Sequence, residues 1–113
     1  MADTIFTRII NREIPADIIH EDDLCLAFRD VNPQAPVHVL IIPKKPIPKL
    51  SDSSEDDRAL LGHLLLTATK IAEQEGISEA YRLNINNGSG AGQSVFHLHV
   101  HLLGGRSFTW PPG

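Results

Sequence analysis

The sequence predicts an α+β domain: an antiparallel sheet of about five strands, with one long and one short helix packed on one side. Three observations predict it. Leu60, Leu61, Leu64, Leu65, Ala68, Ile71 and Ala72 recur at 3–4 spacing, the pattern of one long amphipathic helix. The other apolar runs are short, and they alternate or are rich in β-branched residues, as strands are. Most connections between them are brief, which favours antiparallel neighbours over parallel crossovers. A length of 113 residues suits one domain, 1–113, with a core of its own.

Taken in order, Asp3 to Asn11 reads as the short helix. Asp3 or Thr4 is available as its cap, and Ile5, Phe6, Ile9 and Ile10 form its apolar side. Pro15 breaks the chain. Residues 17–21 and 25–29 read as strands joined by an acidic turn, Glu21-Asp22-Asp23. Two prolines, Pro33 and Pro36, punctuate a loop. Val37 to Ile42 is β-branched and stops at Pro43, as a central strand would. His38 and Leu40 share one of its faces, Val39 and Ile41 the other. The long helix is expected over about residues 54–75, with capping spacings such as Asp52 with Glu55 and a terminator at Gly76. Residues 81–86 alternate like a strand. A glycine-rich loop, 87–93, leads into a last strand over 94–103.

Composition removes several function classes. Charged residues are 21% and hydrophobic residues 42%, as in an ordinary globular protein. The net charge is -4, and Lys44-Lys45 is the only tight basic cluster, which argues against non-specific nucleic-acid binding. Cys25 is the single cysteine, so no intrachain disulfide forms and a reducing compartment is expected. The first four residues lack a leader pattern, and no apolar run approaches the ~18 residues of a membrane span. The expectation is a cytoplasmic protein with no membrane or nucleic-acid partner.

The unusual stretch is Ser94-Val95-Phe96-His97-Leu98-His99-Val100-His101-Leu102-Leu103. On a strand His97, His99 and His101 share one face, with neighbours roughly 7 Å apart, and Leu98, Val100 and Leu102 take the other. Three buried structural histidines would each need separate hydrogen-bond partners, a demanding arrangement without a function. A zinc site could draw on His-x-His with His38 as third ligand. The outer pair, roughly 13 Å apart, cannot share one ion. Phosphate chemistry fits better. A neutral imidazole is a competent nucleophile near pH 7, and its neighbours can hold phosphoryl oxygens. Gly88, Gly90 and Gly92 allow backbone amides to converge on an anion, and Ser94 shares the histidine face by parity.

His97-Leu98-His99-Val100-His101-Leu102-Leu103 matches the alternating signature of the histidine triad (HIT) superfamily. Asp3-Thr4-Ile5-Phe6, Asn32-Pro33-Gln34-Ala35-Pro36 with His38, Ile42-Pro43-Lys44-Lys45, Gly92-Gln93-Ser94-Val95 and Trp110-Pro111-Pro112-Gly113 resemble its HINT branch. The third histidine, where glutamine marks the nucleotidyltransferase branch, points the same way. The resemblance covers nearly the whole chain. It implies a HIT-like fold that dimerises into a ten-stranded sheet, and a homodimeric purine nucleoside phosphoramidase that also acts on aminoacyl adenylates. It implies His99 as nucleophile, His101 at the phosphate, Ser94 near the leaving amine, and His97 and His38 in support. It implies Asp30 on the ribose hydroxyls, Phe6, Ile9, Phe28, Val31 and Leu40 around the base, and Asn86, Gly92 and Gln93 as further substrate contacts. No cofactor and no resident metal are expected. A nucleotide-binding scaffold with vestigial catalysis is the alternative from another class, and a zinc module is the third.

Overall fold

The computed structural model describes residues 3–113; Met1 and Ala2, on which the reading of the N-terminus partly rests, lie outside them. The elements are α1 (Ile5–Ile10), β1 (Ile18–Glu21), β2 (Cys25–Arg29), β3 (Val37–Pro43), α2 (Arg58–Gln74), β4 (Tyr81–Asn84) and β5 (Val100–Gly104), with single 3-10 turns at 50–52, 55–57 and 89–91. The five strands form one sheet in the order β1-β2-β3-β5-β4, every neighbour pair antiparallel, as the short connections predict. β4 lies at an edge. No helix among the described residues is long and apolar enough to cross a membrane.

Thr4 caps α1. Its hydroxyl oxygen accepts from the Phe6 and Thr7 amides, and its own amide donates to Thr7 Oγ1. A cap of this kind contributes about 1 kcal/mol, which a helix of six residues needs.

The two helices lie on opposite faces of the sheet, not on one. Leu64, Ala68, Ile71 and Ala72 of α2 pack with Cys25, Ala27, Val39, Ile41, Leu98, Val100 and Leu102. Phe6 and Ile9 of α1 pack with Leu26, Phe28, Leu40 and Ile42 on the other side. The reason lies in β2 and β3. Cys25 through Phe28 and His38 through Pro43 are buried without interruption, so both faces of the central strands require cover. The expected parity of β3 is observed: Leu40 and Val39 belong to opposite layers.

Three boundaries move. The capping pair is Ser54 with Asp57, which closes a 3-10 turn over 55–57 that delays α2 to Arg58. β4 ends at Asn84, two residues early. The histidine strand begins only at Val100. Residues 94–99 run without ladder pairing, held instead by Leu98 N–H to Ile47 O at 2.7 Å and by Gln93 Nε2 to Val95 O at 3.0 Å. Even so, Leu98 faces α2 with Val100 and Leu102, while His97 and His99 face Phe6 of α1.

Candidate active site

A cleft of about 370 Å³ opens between α1 and the sheet. Phe6, Ile9, Phe28, Leu40 and Val31 line its apolar side, and Asp30, Ser94, His99 and His101 its polar side. The first four are nearly buried, while Val31 sits at the mouth and is 99% exposed. The volume suits a small organic ligand, and the lining mixes apolar walls with a few directed polar groups.

The imidazoles are fixed by hydrogen bonds that also fix their tautomers. Gln34 N–H donates to His38 Nδ1 at 3.0 Å, so the His38 proton sits on Nε2. That Nε2–H donates to His101 Nδ1 at 2.9 Å, so His101 carries its own proton on Nε2. His99 Nδ1–H donates to His97 O at 2.8 Å, which leaves a bare lone pair on His99 Nε2. His97 Nε2–H donates to Pro43 O at 2.7 Å. The rings of His99 and His101 lie 5.0 Å apart, nearer than the roughly 7 Å of a regular strand. Phe6 meets His99 edge-on at 5.0 Å.

Burial pushes all four imidazoles below their ordinary range. It lowers His38, with Asp30 opposing, and it lowers His97, aided by the neighbouring His99. It lowers His99 against the His97 carbonyl bond and Asp30. Burial and then the charges of His99 and His38 bring His101 to about 4. At neutral pH the row is therefore uncharged.

Other expected site residues fall elsewhere. His97 is 1% exposed and lies beneath Phe6, outside the cleft wall. Gln93 is consumed by closing its own loop: Oε1 accepts from Gly88 N–H, and Nε2 donates to Pro48 O and Val95 O. The amides of Ala91, Gly92 and Gln93 bond to carbonyls of Gly88 and Ser89. The expected cradle of glycine-loop amides is therefore not formed by these groups, because the loop closes as a 3-10 turn. Asn86 lines a second, polar hollow of about 280 Å³ with Gln34, Arg82, Asn84, Arg106 and Phe108. His38 and His101 also line this hollow, so His101 is the wall between the two spaces. Sequence reasoning missed Val95, Ile14 and Ala16 in the cleft, and Arg82 and Arg106 in the hollow. Parity offers no signal for residues brought in from loops and a neighbouring strand. It also missed the Gln34 amide, since a backbone donor has no side-chain signature.

A metal would find one triple here: Asp30, His38 and His101 present ligand atoms within 4.8 Å of one another. Only one member of the histidine row belongs to it, so the expected pairing of two row histidines with His38 is not what the fold offers.

Comparison with known proteins places this geometry. The sequence model of one family, described as the HIT domain, matches residues 11–108. An uncharacterised HIT-like protein of Synechocystis sp. is 68% identical over 111 residues, 98% of this chain and 97% of that protein. The crystal structure of a HIT family hydrolase from Legionella pneumophila superposes with a TM-score of 0.96 at 54% identity, covering 98% of this chain and 100% of the other. A HIT family hydrolase from Clostridium thermocellum follows at 0.93 and 46%, covering 96% of each chain. With its alternating histidines gathered on one face of this sheet, the chain belongs to the HIT domain family.

Proposed function

We propose that the protein is a hydrolase that cleaves the P–N bond of purine nucleoside phosphoramidates, and acts on aminoacyl adenylates, through a nucleotidyl-histidine. The observation that carries this reading is the pair His99 and His101: a lone pair on one Nε2 and an N–H on the other, on rings whose centres lie 5.0 Å apart in the cleft wall. One is set to attack phosphorus, and the other to hold a phosphoryl oxygen.

The apolar cleft takes the base, and Asp30 accepts from the ribose hydroxyls. With few polar groups along that slot, purines are preferred and adenine is poorly separated from guanine. His99 Nε2 bonds to the α-phosphorus as the P–N bond breaks. The amine leaves on the Ser94 side of the cleft with one proton drawn from solvent through the Ser94 hydroxyl. The phosphorylated imidazole is cationic, and the His97 carbonyl at Nδ1–H supports that charge. Water then adds to phosphorus, releases His99 and returns one proton to solvent. Brief exposure to adenosine phosphoramidate, followed by quench in alkaline denaturant and intact mass measurement without acid, is expected to show one added adenosine monophosphate per chain. Product accumulating with no adduct at any quench time would overturn the covalent route.

The same reading includes a homodimer. β4 is an open edge, and beside it Leu50, Leu61, Leu64, Leu65 and Ile85 line an apolar groove. Leu65 and Leu66 are 43% and 65% exposed on α2. A second copy related by a two-fold axis covers both features and joins two sheets into one of about ten strands. Sedimentation velocity is expected to give a dimer, and Leu66→Glu a folded monomer. A monomeric parent protein at micromolar concentration would end this part of the proposal.

A further inference from the structure

On the α2 face of the sheet, opposite the histidine cleft, three side chains with metal-binding atoms gather around the carboxylate of a fourth. They come from three elements and the turn between two of them. His20 is on β1, Asp22 in the turn, Cys25 on β2 and His63 on α2. His20 Nε2 lies 2.9 Å from Asp22 Oδ2, His63 Nε2 lies 2.8 Å from the same oxygen, and Cys25 Sγ lies 3.5 Å from it.

The convergence is built into the backbone. The register between β1 and β2 shifts between Ile18 and His20: Ile18 pairs Phe28, but His20 pairs Ala27. Facing residues of an antiparallel pair share a face, so the shift turns His20 from the Phe28 side to the Ala27 side, where α2 lies. Without that bulge His20 would face away from Cys25 and His63. Asp22 is also held. Its Oδ1 accepts from the Leu24 and Cys25 amides at 2.8 and 2.9 Å, which leaves Oδ2 as the shared focus. Burial opposes its ionisation, but the bonds from His20, His63 and these amides outweigh that and hold the carboxyl well below its ordinary range.

We propose that His20, Asp22, Cys25 and His63 bind one divalent ion of the zinc class. Two imidazoles, a carboxylate and a thiolate are a donor set that suits zinc better than magnesium or calcium. The ligand atoms of His20, Asp22 and Cys25 lie within 4.8 Å of one another, against about 3.4 Å between the ligands of a tetrahedral zinc, and His63, whose Nε2 lies 2.8 Å from Asp22 Oδ2, completes the four by a turn of its side chain. On binding, both imidazole protons move to Nδ1 and the Cys25 thiol releases one proton to solvent. His20, Asp22 and His63 keep 26%, 31% and 33% of their side-chain surface, so an ion has a way in. The ion would tie the β1–β2 hairpin to α2, far from the reacting atoms. Its role is therefore structural, and this site stands independently of the phosphoramidase reading.

Chelator-treated full-length protein titrated with zinc chloride, read by native mass spectrometry, tests this. One ion per chain is expected. His63→Gln and His20→Gln are expected to weaken its dissociation constant at least tenfold while circular dichroism and phosphoramidate turnover stay unchanged. Cobalt(II) in the same site should give a thiolate charge-transfer band that Cys25→Ser removes. No saturable zinc binding by the parent protein overturns the proposal. So does an ion that survives His63→Gln and disappears in His101→Ala, which would assign it to Asp30, His38 and His101.

Discussion

Replacing His99 with alanine is expected to lower kcat by at least about 10⁴-fold while leaving the affinity for adenosine monophosphate within a few-fold of the parent. The argument is geometric. Of the two row histidines that line the cleft, His99 alone has a free imidazole lone pair, because Nδ1–H of its ring is spent on the His97 carbonyl and the lone pair of His101 is spent on His38. The base slot does not depend on it: Phe28, Leu40 and Ile9 remain packed around the cleft. Phe6, which meets the ring edge-on at 5.0 Å, loses one contact and keeps Phe28 at 5.4 Å. Rapid-quench turnover and calorimetric nucleotide binding on the same preparation separate the two effects. Turnover within tenfold of the parent would remove His99 from the nucleophile role. His101→Ala is the informative contrast, since it deletes a hydrogen-bond donor and spares the nucleophile. A smaller loss in kcat, with the adduct still formed, is expected there.

Much of this site was legible in the order of residues, for an identifiable reason. Side-chain alternation needs only an extended backbone, not a hydrogen-bonded ladder. His97 and His99 therefore face α1 although β5 starts after them. The separation of the His99 and His101 rings was not legible, because strand rise spaces backbone positions and not the rings that side-chain torsions carry. Gln93 shows a second limit. A polar residue beside glycines resembles a ligand contact, yet its amide closes the loop by bonding to Gly88, Pro48 and Val95. The placement of α1 was misjudged for a third reason. The burial of β2 on both faces is a property of the assembled sheet, and Cys25-Leu26-Ala27-Phe28 is too short for its pattern to declare it. The bulge that turns His20 toward α2 has no residue signature at all.

Acidification should destabilise this protein in a window set by the buried imidazoles. His38, His97, His99 and His101 all have folded pKa values below the usual imidazole range, burial being the leading cause in each. A group whose pKa is depressed by folding binds fewer protons in the folded state than in the unfolded one. Its contribution is fully present above the unfolded value, ~6.5, and is lost as pH falls toward the folded value. For His101 that lower limit is about 4. Stability should therefore fall between about pH 6.5 and pH 4, before most carboxylates titrate. Even discounted for solvent at the cleft mouth, a combined loss of about 2 kcal/mol lowers Tm by about 10 °C between pH 7 and pH 4.5. The acid limb of kcat/KM should sit lower than an exposed histidine would give, because His99 keeps its lone pair to a lower pH. Thermal melts across this range, paired with the rate profile, read both quantities. A Tm that stays flat from pH 7 to pH 4.5 would mean that the four rings are solvated in the folded protein. The neutral tautomer chain from Gln34 through His38 to His101 would then have no basis.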